Sequence, residues 1–402
     1  MQKKSALSAA TRIYLDNNAT TPYSPILKSR WAELLDIFGN PSSIHQDSRA
    51  SKAVLREARH KLANLLECSP LEIIFNSGAS EGNCSVLNAV FEVTNKYRNE
   101  FLISAVEHPS VLKAAVYLQS RGALVHYIPV NRDGVIDLNY IKEKLSVRTA
   151  LVSVMYANNE TGTLFPIKEI SKLAHKAGAL MHADCVQTLG KLNLNIKDLD
   201  LDYATFSAHK FYALKGTGFC YVKKSAPWLA LIHGGGQERN RRGGTENIIG
   251  IAAINIVLDQ LINTEVRTTE MLRLRNLLEE LIDQDISNVK FIARNAARIN
   301  NTSCLIINDV DGETLLMSLD LKGYSVSTGA ACSSGNPEPS PVLLAMGLSR
   351  TEAQSSLRVS LGWETTEDQI VKFVSVLKNI IIKLREINRD VNILEKKIDH
   401  EQ

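Results

Sequence analysis

Between residues 73 and 222, short continuous apolar runs alternate with stretches in which apolar positions recur at helical spacing. Continuous runs of strand length suit strands buried on both faces, and helical stretches between them suit parallel crossovers. The predicted strands are Ile73 to Phe75, Phe101 to Ser104, Leu124 to Ile128, Ala150 to Met155, Leu180 to Asp184, Tyr203 to Ser207 and Gly218 to Val222. Ahead of them, Ser51 to Leu66 reads as a helix, because Val54, Leu55, Ala58, Leu62 and Leu65 fall on one face. After the Gly-rich segment from Gly234 to Gly244 the texture changes. Two long helical patterns, Val266 to Ile286 and Thr366 to about Leu394, bracket strands at Thr302 to Ile307 and Ser356 to Leu361. This predicts a second, smaller α/β unit, joined by the N-terminal residues. Glu386 to Gln402 is polar and expected to fray.

Composition narrows the partners. With 402 residues the chain exceeds one typical domain, and 46 basic against 43 acidic residues leave a net charge of only +3. No long block of like charge argues for nucleic acid or a membrane surface. No signal peptide and no bilayer-spanning run is read from the sequence, so a cytoplasmic protein is expected. The six cysteines, at 68, 84, 185, 220, 304 and 332, form no C-x-x-C pair. Reduced thiols are the expectation, with neither a disulfide framework nor a metal site.

Chemistry concentrates at strand ends. Ser207-Ala208-His209-Lys210 sets a lysine just after an apolar strand, and Asp184 ends another, with Gln187 three residues on. A lysine for a Schiff base and a carboxylate for a pyridinium nitrogen are the two protein groups that pyridoxal phosphate requires, and ligands of open parallel sheets collect beyond strand carboxyl ends. Asn76-Ser77-Gly78-Ala79-Ser80-Glu81-Gly82 links a strand to a helix, where backbone amides and the Ser80 hydroxyl can hold a phosphate. The same residues suit a plain turn with a serine cap. His108, in Glu107-His108-Pro109-Ser110, fits an imidazole that stacks on a flat ring or shuttles protons in catalysis, or else an exposed loop before a helix opened by Pro109. Asn158-Asn159 fits a ligand contact or a tight turn. Cys332 differs from the other cysteines, since Ser327 to Pro339 contains only small, polar or proline neighbours. That setting suits a reactive thiol on an exposed loop better than a packed one.

Taken in order, the motifs Tyr14-Leu15-Asp16-Asn17-Asn18-Ala19-Thr20-Thr21-Pro22, Phe38 to Ser43, Glu107-His108-Pro109, Ala157 to Thr163, Ser207 to Lys210, His233 to Arg239, Gly243 to Asn247, the Cys332 loop and Ser356 to Gly362 resemble the NifS/IscS branch of the cysteine desulfurases, class V aminotransferases. The resemblance spans nearly the whole chain. It implies the α/β fold of a fold-type I PLP-dependent transferase, with a mostly parallel sheet between helices in a large domain, 16–265. A smaller α/β domain, 1–15 with 266–402, would carry the catalytic loop at about 327–341.

By the same resemblance, Lys210 forms the Schiff base with pyridoxal 5'-phosphate, Asp184 pairs with the ring nitrogen, Gln187 reaches the ring hydroxyl and His108 stacks on the ring. Ala79, Ser80, Ser207 and His209 hold the phosphate, with Thr245 supplied by the other subunit of a homodimer. Asn159 and Arg358 meet the cofactor face and the substrate carboxylate, and Cys332 accepts sulfur. The implied reaction converts L-cysteine to L-alanine and leaves a persulfide that serves an iron-sulfur scaffold or another sulfur-acceptor protein. Ser80 keeps the hydroxyl of the threonine usual there, Ala213-Leu214 replace a common Gly-Pro, and Gln354 stands where histidine is frequent. A selenocysteine lyase or other enzyme of this fold, and a non-catalytic assembly scaffold, are the rival readings.

Overall fold

The computed structural model describes residues 12–262, 264–329 and 338–400, the last ten without their side chains. Seven strands make one sheet, in the order Ile73–Asn76, Gly218–Val222, Tyr203–Ser207, Leu180–Asp184, Thr149–Ser153, Glu100–Ser104, Leu124–Ile128. The last five run parallel. Five of the seven are buried along their whole length, which is why their sequences read as continuous apolar runs.

One strand departs from the parallel expectation. Gly218–Val222 is antiparallel to both of its neighbours. The segment 208–217 before it holds only a short 3₁₀ turn, Ala208–Lys210. A parallel return needs about a dozen residues or more, usually with a helix, so the chain doubles back instead.

Helices cover both sheet faces. Val86, Leu87, Val111 and Leu118, from the helices Ala79–Thr94 and Pro109–Ser120, pack with Ile74, Phe101, Ile103 and Tyr203. On the other face, Leu62 and Leu66 of helix Ser48–Leu66 and Ile251, Ile254 and Val257 of helix Ile248–Leu261 join Ile73, Phe75 and Leu102. Ile248–Leu261 is apolar nearly all round, as a helix covered on all sides must be.

A separate cluster is built from Leu15, Leu274, Leu278, Leu305, Leu357, Phe373 and Leu377. It lies among helices Glu265–Asp285, Gly312–Leu321 and Glu367–His400 and an antiparallel sheet in which Thr302–Ile307 is central. The outer strand Val289–Ile292 was not predicted, because it is short, only partly buried and interrupted by Lys290. The two-residue strand Ile13–Tyr14 pairs in parallel with Tyr324–Ser325 and ties the N-terminal segment to this part of the chain. The final helix continues to His400 through the stretch expected to fray, which lacks glycine and proline and is rich in helix formers. Among the described residues no single helix is long and apolar enough to cross a membrane.

Candidate active site

The strand ends at Asp184 and Ser207 and the start of helix Ala79–Thr94 open on one cavity of about 520 Å³. Ala79, Ser80, His108, Asn159, Asp184, Gln187, Ser207, His209, Lys210 and Arg358 all line it. Thr245 does not, and is exposed. Cys332 lies outside the described residues.

At one end, Gly78 has φ 146°, which lets the chain turn from strand to helix. A side chain on the facing Gly218 would meet the Phe206 carbonyl oxygen at 2.5 Å and Gly78 Cα at 2.6 Å, so both glycines are needed for this close approach. The amides that open the helix have no intrahelical acceptor and point where an anion would sit. Glu81 does not close that position: its carboxylate receives the Ser77 amide at 3.0 Å and a paired grip from Arg242 at 2.9 and 3.1 Å. Arg242, from the same Gly-rich segment as Thr245, is a residue the sequence reading did not single out.

In the middle, Asp184 is buried and anchored at both oxygens, by the Val186 amide at 3.0 Å and by Asn83 Nδ2 at 2.8 Å. Asn83 is fully buried, donates also to Ser110 Oγ at 2.9 Å and accepts from Thr205 Oγ1 at 2.5 Å. Ser110 in turn contacts His108 Nδ1 through its hydroxyl at 2.8 Å and its amide at 3.1 Å. Thus His108 caps helix Pro109–Ser120 and lines the cavity at once. Desolvation, and then Lys210, disfavour its imidazolium, while Asp184 pulls the other way. The neighbouring Glu107 carboxyl is pushed well above the carboxylate range by burial and then by Asp184.

Asn83 escaped the sequence reading because helix Ala79–Thr94 also carries Ser80, Glu81, Ser85 and Asn88, and nothing in the local pattern marks Asn83 as the fully buried one. Asn83→Ala leaves Asp184 and Thr205 each short of a buried partner. The expected loss is about 1–3 kcal/mol of folding stability for such a group, together with faster loss of cofactor on dialysis. Thermal unfolding with and without added cofactor measures both.

At the far end, Lys210 Nζ donates to the carbonyl oxygens of Asn18 at 2.5 Å and Ala19 at 2.7 Å. Burial, and next Arg358, bring its ammonium down to about 8, against the opposing pull of Asp16 and Asp184. Arg358 is buried, bonded to Asp16 Oδ1 at 2.7 Å and to the Asn159 carbonyl at 3.1 Å, and its Nε–H has no partner among the described residues. Asn158 is the turn residue of the amide pair: its Oδ1 accepts the amides of Glu160 at 2.8 Å and Thr161 at 3.0 Å. Asn159 is left to face the cavity.

This donor set fits pyridoxal phosphate. Helix-start amides with the hydroxyls of Ser80 and Ser207 and the imidazole of His209 suit the phosphate. Burial first, then Lys210 and Lys215, lower His209 to about 4, so it is a neutral hydrogen-bonding group. A fixed carboxylate and a lysine amine on the same cavity suit the ring nitrogen and the aldehyde. The orphaned Nε–H of the buried Arg358 is what a substrate carboxylate would satisfy.

Comparison with known proteins gives three similarities and a family match. Residues 13–373 match the model of the aminotransferase class-V family. The chain is 39% identical over 378 residues to a cysteine desulfurase of Nostoc sp., covering 94% of each chain. A solved NifS-like protein superposes with a TM-score of 0.86 at 33% identity, over 92% of this chain and 99% of that one. A second solved structure, described as SspA in complex with cysteine, gives a TM-score of 0.77 at 28% identity, over 87% and 99% of the two chains.

Proposed function

The chain belongs to the aminotransferase class-V family and is a pyridoxal phosphate-dependent cysteine desulfurase, and from that premise we propose which of its residues carry the reaction. The observation that carries the assignment is the meeting of Lys210, Asp184 and the Ala79–Ser80 helix start around one cavity.

Pyridoxal phosphate, when bound, supplies an electron sink for the charge left on an amino acid's α-carbon. Lys210 would hold the aldehyde end and serve as the base for the substrate's α-proton; an ammonium lowered to about 8 provides neutral amine near neutral pH. Asp184, fixed by Asn83 and the Val186 amide, would face the ring nitrogen. Gln187 would hold the ring hydroxyl and His108 would lie on the ring face. Arg358 receives the substrate carboxylate on its unspent Nε–H while Asp16 holds its other edge, and Asn159 borders the same position.

Cys332 is proposed as the sulfur acceptor. The five other cysteines support this by contrast: all have thiols pushed up by burial, Cys68 and Cys304 to about 12, and Cys84, Cys185 and Cys220 also upward. In the overall balance the C–S bond of L-cysteine breaks, an S–S bond forms on Cys332, and a proton ends on the methyl group of L-alanine.

The same reading extends to a cytoplasmic homodimer. The homodimer is supported by the exposure of Trp31, Leu35, Phe38, Ile44, Leu229, Leu231 and Ile232, apolar side chains that a second copy could cover, and by the exposed Thr245, which is free to serve a neighbouring cavity. We also propose that 16–265 and 1–15 with 266–402 are separate units, on the basis of the cluster around Leu274, Leu305 and Phe373. The persulfide then passes to an iron-sulfur scaffold or another acceptor protein.

The test is a peptide mass map after brief incubation with L-cysteine, with alanine quantified in the same tube. One added sulfur on the Cys332 peptide, matched by alanine, is the expected result. Alanine without sulfur on that peptide removes Cys332 from the assignment.

A further inference from the structure

Lys191 is a cation in a costly place. It is only 4% exposed and has no carboxylate partner among the described residues. Its Nζ instead donates to Asn18 Oδ1 at 2.9 Å and to Gln187 Oε1. Burying an ammonium without a counter-charge is strongly unfavourable. Burial, and then Lys210 and Arg358, accordingly push this lysine well below its usual range. Charged or neutral, the amine keeps at least two N–H groups, and both of its partners are carbonyl oxygens that only accept. The contact therefore persists in either state.

Those two bonds fix the amides that border the reaction. With Oε1 of Gln187 committed to Lys191, its Nε2 turns to the Asn18 carbonyl oxygen at 3.0 Å. The second N–H on Nε2 has no partner among the described residues, and Gln187 lines the cavity. Asn18 is equally committed. Its Oδ1 also accepts from Asn301 at 3.1 Å, its Nδ2 donates to the Asn159 carbonyl at 3.0 Å and Thr302 Oγ1 at 2.8 Å, and its own carbonyl carries Lys210 Nζ.

We propose that Lys191 is a positioning residue for this reaction: by occupying the carbonyl oxygens of Gln187 and Asn18, it commits Gln187 to present an N–H donor to the ring oxygen of the bound cofactor, and so keeps that oxygen ionised. The inference rests on the proposed contact between Gln187 and the ring hydroxyl. Without Lys191, only the bond from Nε2 to the Asn18 carbonyl oxygen holds the Gln187 amide in this sense, and a carbonyl oxygen turned toward the cavity favours a protonated ring oxygen.

The test is a pH titration of the visible absorption of the holoenzyme, without substrate. That absorption follows the proton shared between the ring oxygen and the lysine-linked nitrogen, and a donor on the oxygen makes the proton easier to lose. Lys191→Met is therefore expected to raise the titration midpoint by about one unit, tenfold in proton affinity. Gln187→Met should raise it by a similar amount, and the double variant by no more than either alone, because both changes remove one donor. Glu81, His108, Asp184, His209, Lys210, Lys215 and Arg358, the charged and titratable groups lining the cavity, are unchanged in all three variants.

A Lys191→Met protein with lowered thermal stability and an unmoved midpoint overturns the inference, leaving a merely structural lysine. Additive shifts in the double variant overturn it as well. Should Lys191→Met fail to fold, Lys191→Gln, too short to reach both carbonyls, is read in the same titration and is expected to move the midpoint up by a smaller amount. An unmoved midpoint there is equally fatal. Sulfur labelling of Cys332 by the wild type is independent of all these readings, so failure here does not touch the proposed reaction. A wild type without a visible band would overturn the reading on which both rest.

Discussion

Lys210→Ala is expected to lower alanine release from L-cysteine by at least about a thousandfold and to remove the visible absorption of the purified protein. Loss of a positioned general base alone costs about 10²–10⁴ in rate, and this variant also loses the covalent attachment of the cofactor. The environment of the amine explains why no neighbour replaces it. Lys191, the buried lysine nearby, spends its Nζ on Asn18 and Gln187, and Arg358 cannot give up a proton at any ordinary pH. Lys210 is half-buried, held by two backbone carbonyls, and lowered to about 8 chiefly by burial and then by Arg358. A lowered ammonium means that the neutral amine grows in as pH rises toward 8, so the wild-type proton-removal step should quicken over that range. The variant should show no such rise. A primary amine added to Lys210→Ala should restore a small rate if the lost group is the amine. Undiminished alanine release from Lys210→Ala would remove it from the mechanism.

The parts of this site that could be read from the sequence are those set by local pattern. Asp184 and Ser207 end runs apolar enough to be buried strands, so their positions beyond the sheet followed from the runs themselves. Helix Pro109–Ser120 announced its start through Pro109. The direction of Gly218–Val222 was not legible, because an apolar run reads the same in either orientation and only the shortness of 208–217 carries the information.

Long-range partners were harder still. Asn18 is joined to Asn301 and Thr302, more than 280 residues away, and nothing in the local pattern separates it from an ordinary turn asparagine. Lys191 reads as a solvated lysine for the same reason, since its burial is decided by segments distant in sequence. Glu160 is a further case. It lies beside Asn159, is raised to about 7 mainly by burial, and accepts a 2.5 Å hydrogen bond from Ser340 Oγ. Any side chain on Gly329 would collide with its carboxylate. Glu160 thus touches both roots of the segment that carries Cys332, a role no spacing could reveal.

Cys332→Ser is expected to stop desulfuration while leaving the visible absorption intact. The described residues that flank 330–337 are held beside the site: the Ser327 and Arg358 backbones exchange hydrogen bonds at 3.2 and 2.6 Å, and Ser340 is held by Glu160, next to Asn159. Both flanking residues are thus tied to the two residues proposed to meet the substrate, Arg358 and Asn159. A hydroxyl cannot take up sulfur as a persulfide, and serine is a poor nucleophile without a base to activate it. A loss of roughly a thousandfold in alanine formation, about 4 kcal/mol in barrier, is the expected size. Cofactor retention should be unchanged, because the phosphate, ring nitrogen and aldehyde positions are all built from other residues. Were Cys332→Ser to release alanine at the wild-type rate, another thiol would have to accept the sulfur. Cys84, only half-buried and 3.9 Å from the Ser110 carbonyl oxygen beside His108, would be the first peptide to search for the extra mass. Its thiol is raised by burial and Cys332 has no such packed neighbours in sequence, which is why the acceptor role is placed on the loop.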